Sequence, residues 1–133
     1  MLVRDAMSKV VLTIGPAHTL RQAATLMSAR RVGAAVVLDP DTSGLGILTE
    51  RDILNSIGRG EDPDSELVSA HMADAVCTAS PDWSLEHAAA EMSRRGIRHL
   101  VVVDDGNLVG MLSMRDIVRV WTSDGATSEM PAS

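Results

Sequence analysis

The chain has 133 residues, a formal charge of −6, 45% hydrophobic residues and two aromatics, Trp83 and Trp121. That is one domain's worth of a folded globular composition, not a disordered or membrane-spanning one. An acidic chain without Phe or Tyr lacks the basic face and stacking aromatics of nucleic-acid binders, and no apolar run is long enough for a membrane span, so neither nucleic acid nor membrane is expected as a partner.

The predicted elements fall into two similar sets. The first opens with a β-prone run, "VVLT", and a Pro-containing bend, "IGPAHT". Leu20, Ala23, Ala24 and Met27 then recur at helical spacing. Thr19 stands at the N-cap, Gln22 completes a capping box, and Gly33 follows as a stop signal. "AAVVL" reads as a strand buried on both faces. The turn "DPDTSG" leads to a second strand, "LGILT", and a short helix, "RDILNSI". Residues 59–66, polar and turn-rich, read as a linker.

The second set repeats the order: "AVCT", "ASPDWS", then a helix on Leu85, Ala88, Ala89 and Met92 behind Ser84 and before Gly96. "HLVVV", "LVGMLS" and "RDIVRVW" complete it. Residues 122–133 show no periodicity and are expected as a disordered tail.

The correspondence is a duplication. A shift of 65 residues places Val3 on Val68, Met7 on Met72, Leu20 on Leu85 and Met27 on Met92. One residue is lost in the turn, after which Gly46 falls on Gly110, Leu48 on Leu112, Arg51 on Arg115 and Asp52 on Asp116. Each β-α-β-β-α copy, about 55 residues, is small for an independent core. The expected fold is α/β: two copies, residues 1–58 and 67–121, packed about a pseudo-twofold axis.

"GILTERDIL" and "GMLSMRDIV" carry the chemistry. Thr49 and Ser113 lie at strand-to-helix junctions, where a hydroxyl caps the helix and an acid three residues on reaches back. The same geometry suits an anion at a helix N-terminus and a ribose diol on the carboxylate. Arg51 and Arg115 add positive charge, and Gly46 and Gly110 would let something approach the strand backbone closely.

With these motifs the chain resembles a tandem pair of cystathionine-β-synthase (CBS) domains, a stand-alone Bateman module, over residues 1–121. The signature pieces are "GILTERDIL" and "GMLSMRDIV", each behind a strand ending in Asp, "VVLD" and "VVVD". The resemblance implies adenosine-containing ligands (AMP, ADP, ATP, NAD or S-adenosylmethionine) in clefts between the repeats, and usually a dimer. It puts Asp52 and Asp116 on ribose and Thr49 and Ser113 on phosphate. Backbone at Thr13–Ile14 and Thr78–Ala79, with the strand starts Ala34–Ala35 and His99–Leu100, would line the base pocket. Two departures stand out. Val36 and Val101 occupy positions where the family often has Pro, and Arg98 and His99 face Gly33 and Ala34 in the other copy.

The remaining residues add little chemistry. The four histidines lack helical metal-site spacing, and no metal is expected. No nucleophile–base pair or Walker motif is readable, so no enzyme and no catalytic cofactor is expected. Cys77, the only cysteine, reads as a structural thiol; with no signal peptide visible, a cytoplasmic location is expected. Met27 and Met92 read as core. Met111 reads as core or, with Ile47 opposite in the equivalent site, as a flank for adenine. Ile53, Leu54, Ile57, Ile117, Val118, Val120 and Trp121 read as a homodimer interface or as packing between the two repeats. The expected function is a regulatory module that senses adenosine nucleotides and acts on a separate, unidentified protein or through its dimer; the alternative is a ligand-free scaffold.

Overall fold

The sequence dictates two short crossovers, each a strand, a helix and a parallel return strand. In a computed structural model, which describes residues 1–41, 44–74 and 76–123, both are formed. The elements are α1 (Val3–Ala6), β1 (Thr13–Ile14), α2 (Leu20–Arg30), β2 (Ala34–Leu38), β3 (Leu45–Thr49), α3 (Glu50–Gly58), a 3-10 turn (Val68–Ala70), β4 (Thr78–Ala79), α4 (Leu85–Arg95), β5 (His99–Asp104), β6 (Asn107–Ser113) and α5 (Met114–Ser123). The expected β-α-β-β-α order is present twice, with α1 and the 3-10 turn as unpredicted additions. The helix α5 runs through Thr122 and Ser123; the rest of the expected tail, with Thr42, Ser43 and Ala75, lies outside the described residues.

The chain divides into two compact units. One holds residues 11–76 and the other holds residues 1–10 together with the chain from Cys77 onward.

In the first unit β2 is central, parallel to β1 and antiparallel to β3. The strand "AAVV" is buried at every residue from Ala34 to Val37, as an all-apolar central strand requires. Leu20, Ala23 and Met27 of α2 pack against Ala35, Val37, Leu48, Ile53 and Val68. The cap is the predicted box: Thr19 accepts from the Gln22 amide, and Gln22 accepts from the Thr19 amide at 2.9 Å. The stop signal is not Gly33. Arg31 adopts the left-handed conformation at φ 56° and closes α2 two residues earlier.

The second unit repeats this with β5 central between β4 and β6. Leu85, Ala88 and Met92 of α4 pack with Leu100, Val102, Leu112, Ile117 and Val120. Here a glycine, Gly96, takes the left-handed C-cap at φ 66°.

The segments that lead into each copy have exchanged places. The Val3 amide donates to the Trp83 carbonyl and the Arg4 amide to Pro81, so α1 belongs to the second unit. In the first unit the Val68 amide donates to the His18 carbonyl and the Leu20 amide to Glu66. The polar stretch 59–66 is thereby tied down: Arg21 pairs with Asp64 and its amide donates to the Pro63 carbonyl.

Candidate functional site

Both motifs sit where a strand runs directly into a helix. At the first, the Thr49 amide donates to Asp52 Oδ2 at 2.8 Å and the Thr49 hydroxyl to the same oxygen at 3.0 Å. The Asp52 amide returns a bond to Thr49 Oγ1 at 3.3 Å. At the second, the Ser113 amide donates to Asp116 Oδ2 at 2.9 Å and the Asp116 amide to Ser113 Oγ at 3.1 Å. The capping reading is therefore realised in both copies. It uses one carboxylate oxygen each time and leaves Oδ1 for other work.

That second oxygen differs between the copies. Asp52 Oδ1 has no hydrogen-bond partner among the described residues. Asp116 Oδ1 accepts from Arg119 at 3.0 Å, and Arg119 also donates to the Ala6 carbonyl at 3.3 Å. Both carboxylates are partly buried, whereas Arg51, Arg115 and Arg119 are exposed.

Sheet register gathers the other expected residues. Ala34 lies opposite Thr49 and His99 opposite Ser113, so each central strand starts beside a motif hydroxyl. The side chains of Ile14, Ala35, Ala79 and Leu100 belong to the cores, which leaves their backbone as the only part able to meet a ligand. Thr13 and Thr78 are exposed. The departures at Val36 and Val101 have a structural use: their amides donate to the carbonyls of Leu12 and Cys77 at 3.0 and 3.3 Å, bonds that Pro cannot make.

The motif glycines do admit a close approach, and it comes from the chain itself. Ser8 and Met111 exchange backbone bonds of 2.9 and 3.0 Å beside Gly110. Ala73 and Ile47 do the same beside Gly46, at 2.9 and 3.0 Å. Met111 is buried and Ile47 is half-buried.

The apolar residues of the final helices divide. Ile53, Ile117 and Val120 are core, correcting their reading as interface residues. Leu54 and Ile57 on α3, and Val118 and Trp121 on α5, are exposed. Cys77 is a half-buried thiol packed against the second unit's core.

One cluster escaped the sequence, because its members are not helically spaced. Glu61, Glu66 and His71 bring ligand-type atoms within 4.8 Å of one another. They are satisfied internally: His71 pairs with Glu66 at 2.8 Å, and Glu61 accepts from the buried Ser56 hydroxyl at 2.9 Å and from Arg59 at 3.0 Å. The cluster clasps the stretch after α3 to its own unit.

The family model for the CBS domain matches the chain twice, at residues 3–59 and 66–123. The chain is a pair of CBS domains. It is 37% identical over 130 residues to the CBS domain-containing protein YhcV of Bacillus subtilis, covering 96% of this chain and 91% of that protein. Two other curated relatives are longer: the chain spans 61% of the uncharacterized protein MK0525 of Methanopyrus kandleri and 45% of the uncharacterized protein MJ1225 of Methanocaldococcus jannaschii. Among solved structures, the CBS domain pair of protein MJ0100 in complex with 5′-methylthioadenosine and S-adenosylmethionine superposes with a TM-score of 0.81. Its identity is 27%, over 93% of this chain and 98% of that one. A hexameric CBS-CP12 protein from bloom-forming cyanobacteria gives a TM-score of 0.86 at 25% identity, over 99% and 76% of the two chains. The CBS pair is thus a fold on which an adenosine-containing ligand binds in at least one relative, MJ0100.

Proposed function

We propose that this CBS pair is a non-catalytic regulatory module that binds an adenosine-containing ligand through its two motif carboxylates. The observation that carries this is the divided work of Asp52: Oδ2 caps α3 and Oδ1 is unbonded among the described residues. A carboxylate held in place by its cap, with one oxygen left over, suits a ribose diol, which donates two hydroxyls. The adjoining helix N-terminus and Arg51 or Arg115 suit a phosphate. The ligands in the MJ0100 pair belong to the same chemical class.

In this reading Thr49, Asp52, Arg51, Ser113, Asp116 and Arg115 contact ribose and phosphate, and backbone at Thr13–Ile14, Thr78–Ala79, Ala34–Ala35 and His99–Leu100 contacts the base. The exposed faces of α3 and α5 carry self-association as a homodimer, or contact with a protein target, in the cytoplasm. Ligand changes the output only by its differential affinity for two states of the module. Isothermal titration against AMP, ADP, ATP, NAD and S-adenosylmethionine tests it: one of them binds, and Asp52→Ala and Asp116→Ala each remove a site. Failure of every ligand to bind leaves the scaffold reading.

A further inference from the structure

The two motifs are alike in their caps and unlike in their charge. In the first, the residues around the cap are Gly33, whose carbonyl accepts from the Glu50 amide at 2.9 Å, then Glu50, Arg51, Asp52 and Asn55. Their formal charge is minus one. In the second, the equivalent residues are Arg98, whose carbonyl accepts from Met114 at 2.9 Å, then Met114, Arg115, Asp116 and Arg119. Their formal charge is plus two. The decisive pair is Asn55 against Arg119, each one helical turn beyond its carboxylate. With Asn55 there, Asp52 Oδ1 is unbonded among the described residues, while Arg119 occupies Asp116 Oδ1 at 3.0 Å.

We propose that Arg119 makes the two sites select opposite ligand classes: Asp52 favours adenosine ligands without phosphate, and Asp116 favours adenosine ligands that carry phosphate. This rests on the reading above and deepens it. A ribose diol arriving at Asp116 must displace the guanidinium from Oδ1. A phosphate-free ligand offers that guanidinium nothing in return. A phosphate offers it, with Arg98 and Arg115 nearby in the fold, a stronger anionic partner. At the Asp52 site Glu50 repels phosphate, and no described residue bonds Asp52 Oδ1.

The test is calorimetric titration with adenosine and with ATP, on chains that keep one working carboxylate. Asp116→Asn reports the Asp52 site and Asp52→Asn reports the Asp116 site; circular dichroism checks that each variant is folded. The ratio of ATP to adenosine affinity is expected to be about tenfold higher at the Asp116 site and to shrink with added salt. Arg119→Asn should strengthen adenosine there by up to about fivefold, the worth of an exposed ion pair, and weaken ATP. Asn55→Arg should shift the Asp52 site the opposite way. Equal ratios at the two sites, or adenosine weakened by Arg119→Asn, overturn this inference and leave the sensor reading standing. If none of adenosine, AMP, ADP, ATP, NAD and S-adenosylmethionine binds the unmodified chain, the sensor reading itself fails and takes this inference with it.

Discussion

Gly110 lies so close to Ser8 that a Cβ at position 110 would stand 2.7 Å from the Ser8 carbonyl oxygen. It would also meet Met7 Sδ at 2.8 Å. The equivalent Cβ at Gly46 would meet Met72 Sδ at 2.8 Å, but the Ala73 carbonyl only at 3.3 Å. A thioether can swing aside, whereas a carbonyl held in a two-way bridge cannot. Gly110→Ala is expected to cost about 2 kcal/mol and Gly46→Ala about half of that. Urea denaturation followed by circular dichroism measures both.

The helix ends α2 and α4 offer a matched pair of substitutions. Arg31 holds the left-handed C-cap that Gly96 holds in the other copy. A side chain there costs about 1 kcal/mol or more, offset in part because glycine loosens the unfolded chain. Arg31→Gly should therefore gain about 0.5 kcal/mol and Gly96→Ala should lose about 1 kcal/mol. Thermal melts of the two variants should move in opposite directions.

Asp52 has a stability role separable from binding. Asp52→Ala removes the reciprocal cap and should cost about 1 kcal/mol, while Asp52→Asn retains an acceptor for the Thr49 amide and should cost less. Both should lose binding at the Asp52 site equally if the charged carboxylate holds the ribose. Comparing melting and titration for the two variants separates the roles.

Acid should weaken the fold through two glutamates. The Ser56 hydroxyl and Arg59 hold the Glu61 carboxyl below its ordinary value, and Arg94 and Arg95 do the same for Glu91. The unfolded chain then takes up protons first as pH falls. Their contribution is present above the ordinary glutamate range, near 4.5, and is lost as pH drops through the lower folded values. Urea midpoints from pH 6 down to about pH 3 should decline, and less steeply in a Glu61→Gln, Glu91→Gln chain.

Self-association should depend on exposed side chains alone. Leu54 is 69% exposed on α3 and Val118 is 47% exposed on α5, so neither anchors its own unit. Leu54→Asp with Val118→Asp should turn a sedimenting dimer into a monomer while shifting stability by no more than about 1 kcal/mol. A doubly substituted chain that sediments as before would place the contact elsewhere.

Much of this was legible in the residues. The helices α2 and α4 were readable because Leu20, Ala23 and Met27, and their counterparts, keep one face, and because Thr19 and Ser84 announce the caps. The central strands were readable because unbroken runs of Val and Leu suit a strand covered on both sides. The motif hydroxyls and carboxylates were found because they repeat. What was missed depends on distant partners. Nothing local marks Ser8 or Ala73 as the neighbour of a motif glycine, or brings Glu66 to His71. The end of α2 was misread because glycine is the usual left-handed residue, and here Arg31 bears that strain. Ile53, Ile117 and Val120 could not be separated from Leu54 and Val118 by hydrophobicity; only the helix phase against the sheet divides them.

The exchange of leading segments has a consequence for how this gene can be cut. Duplication copied a stretch of DNA, but the boundary of the copy is not a boundary of folding. A fragment ending near residue 60 would keep α1, which its own sheet does not use, and lose Val68 and Ala73, which it does. A fragment starting near residue 67 would carry the mirror-image defect. Each half, cut at the boundary of the copy, lacks the leading segment its own sheet uses, so the piece that carries all of its own contacts is the pair.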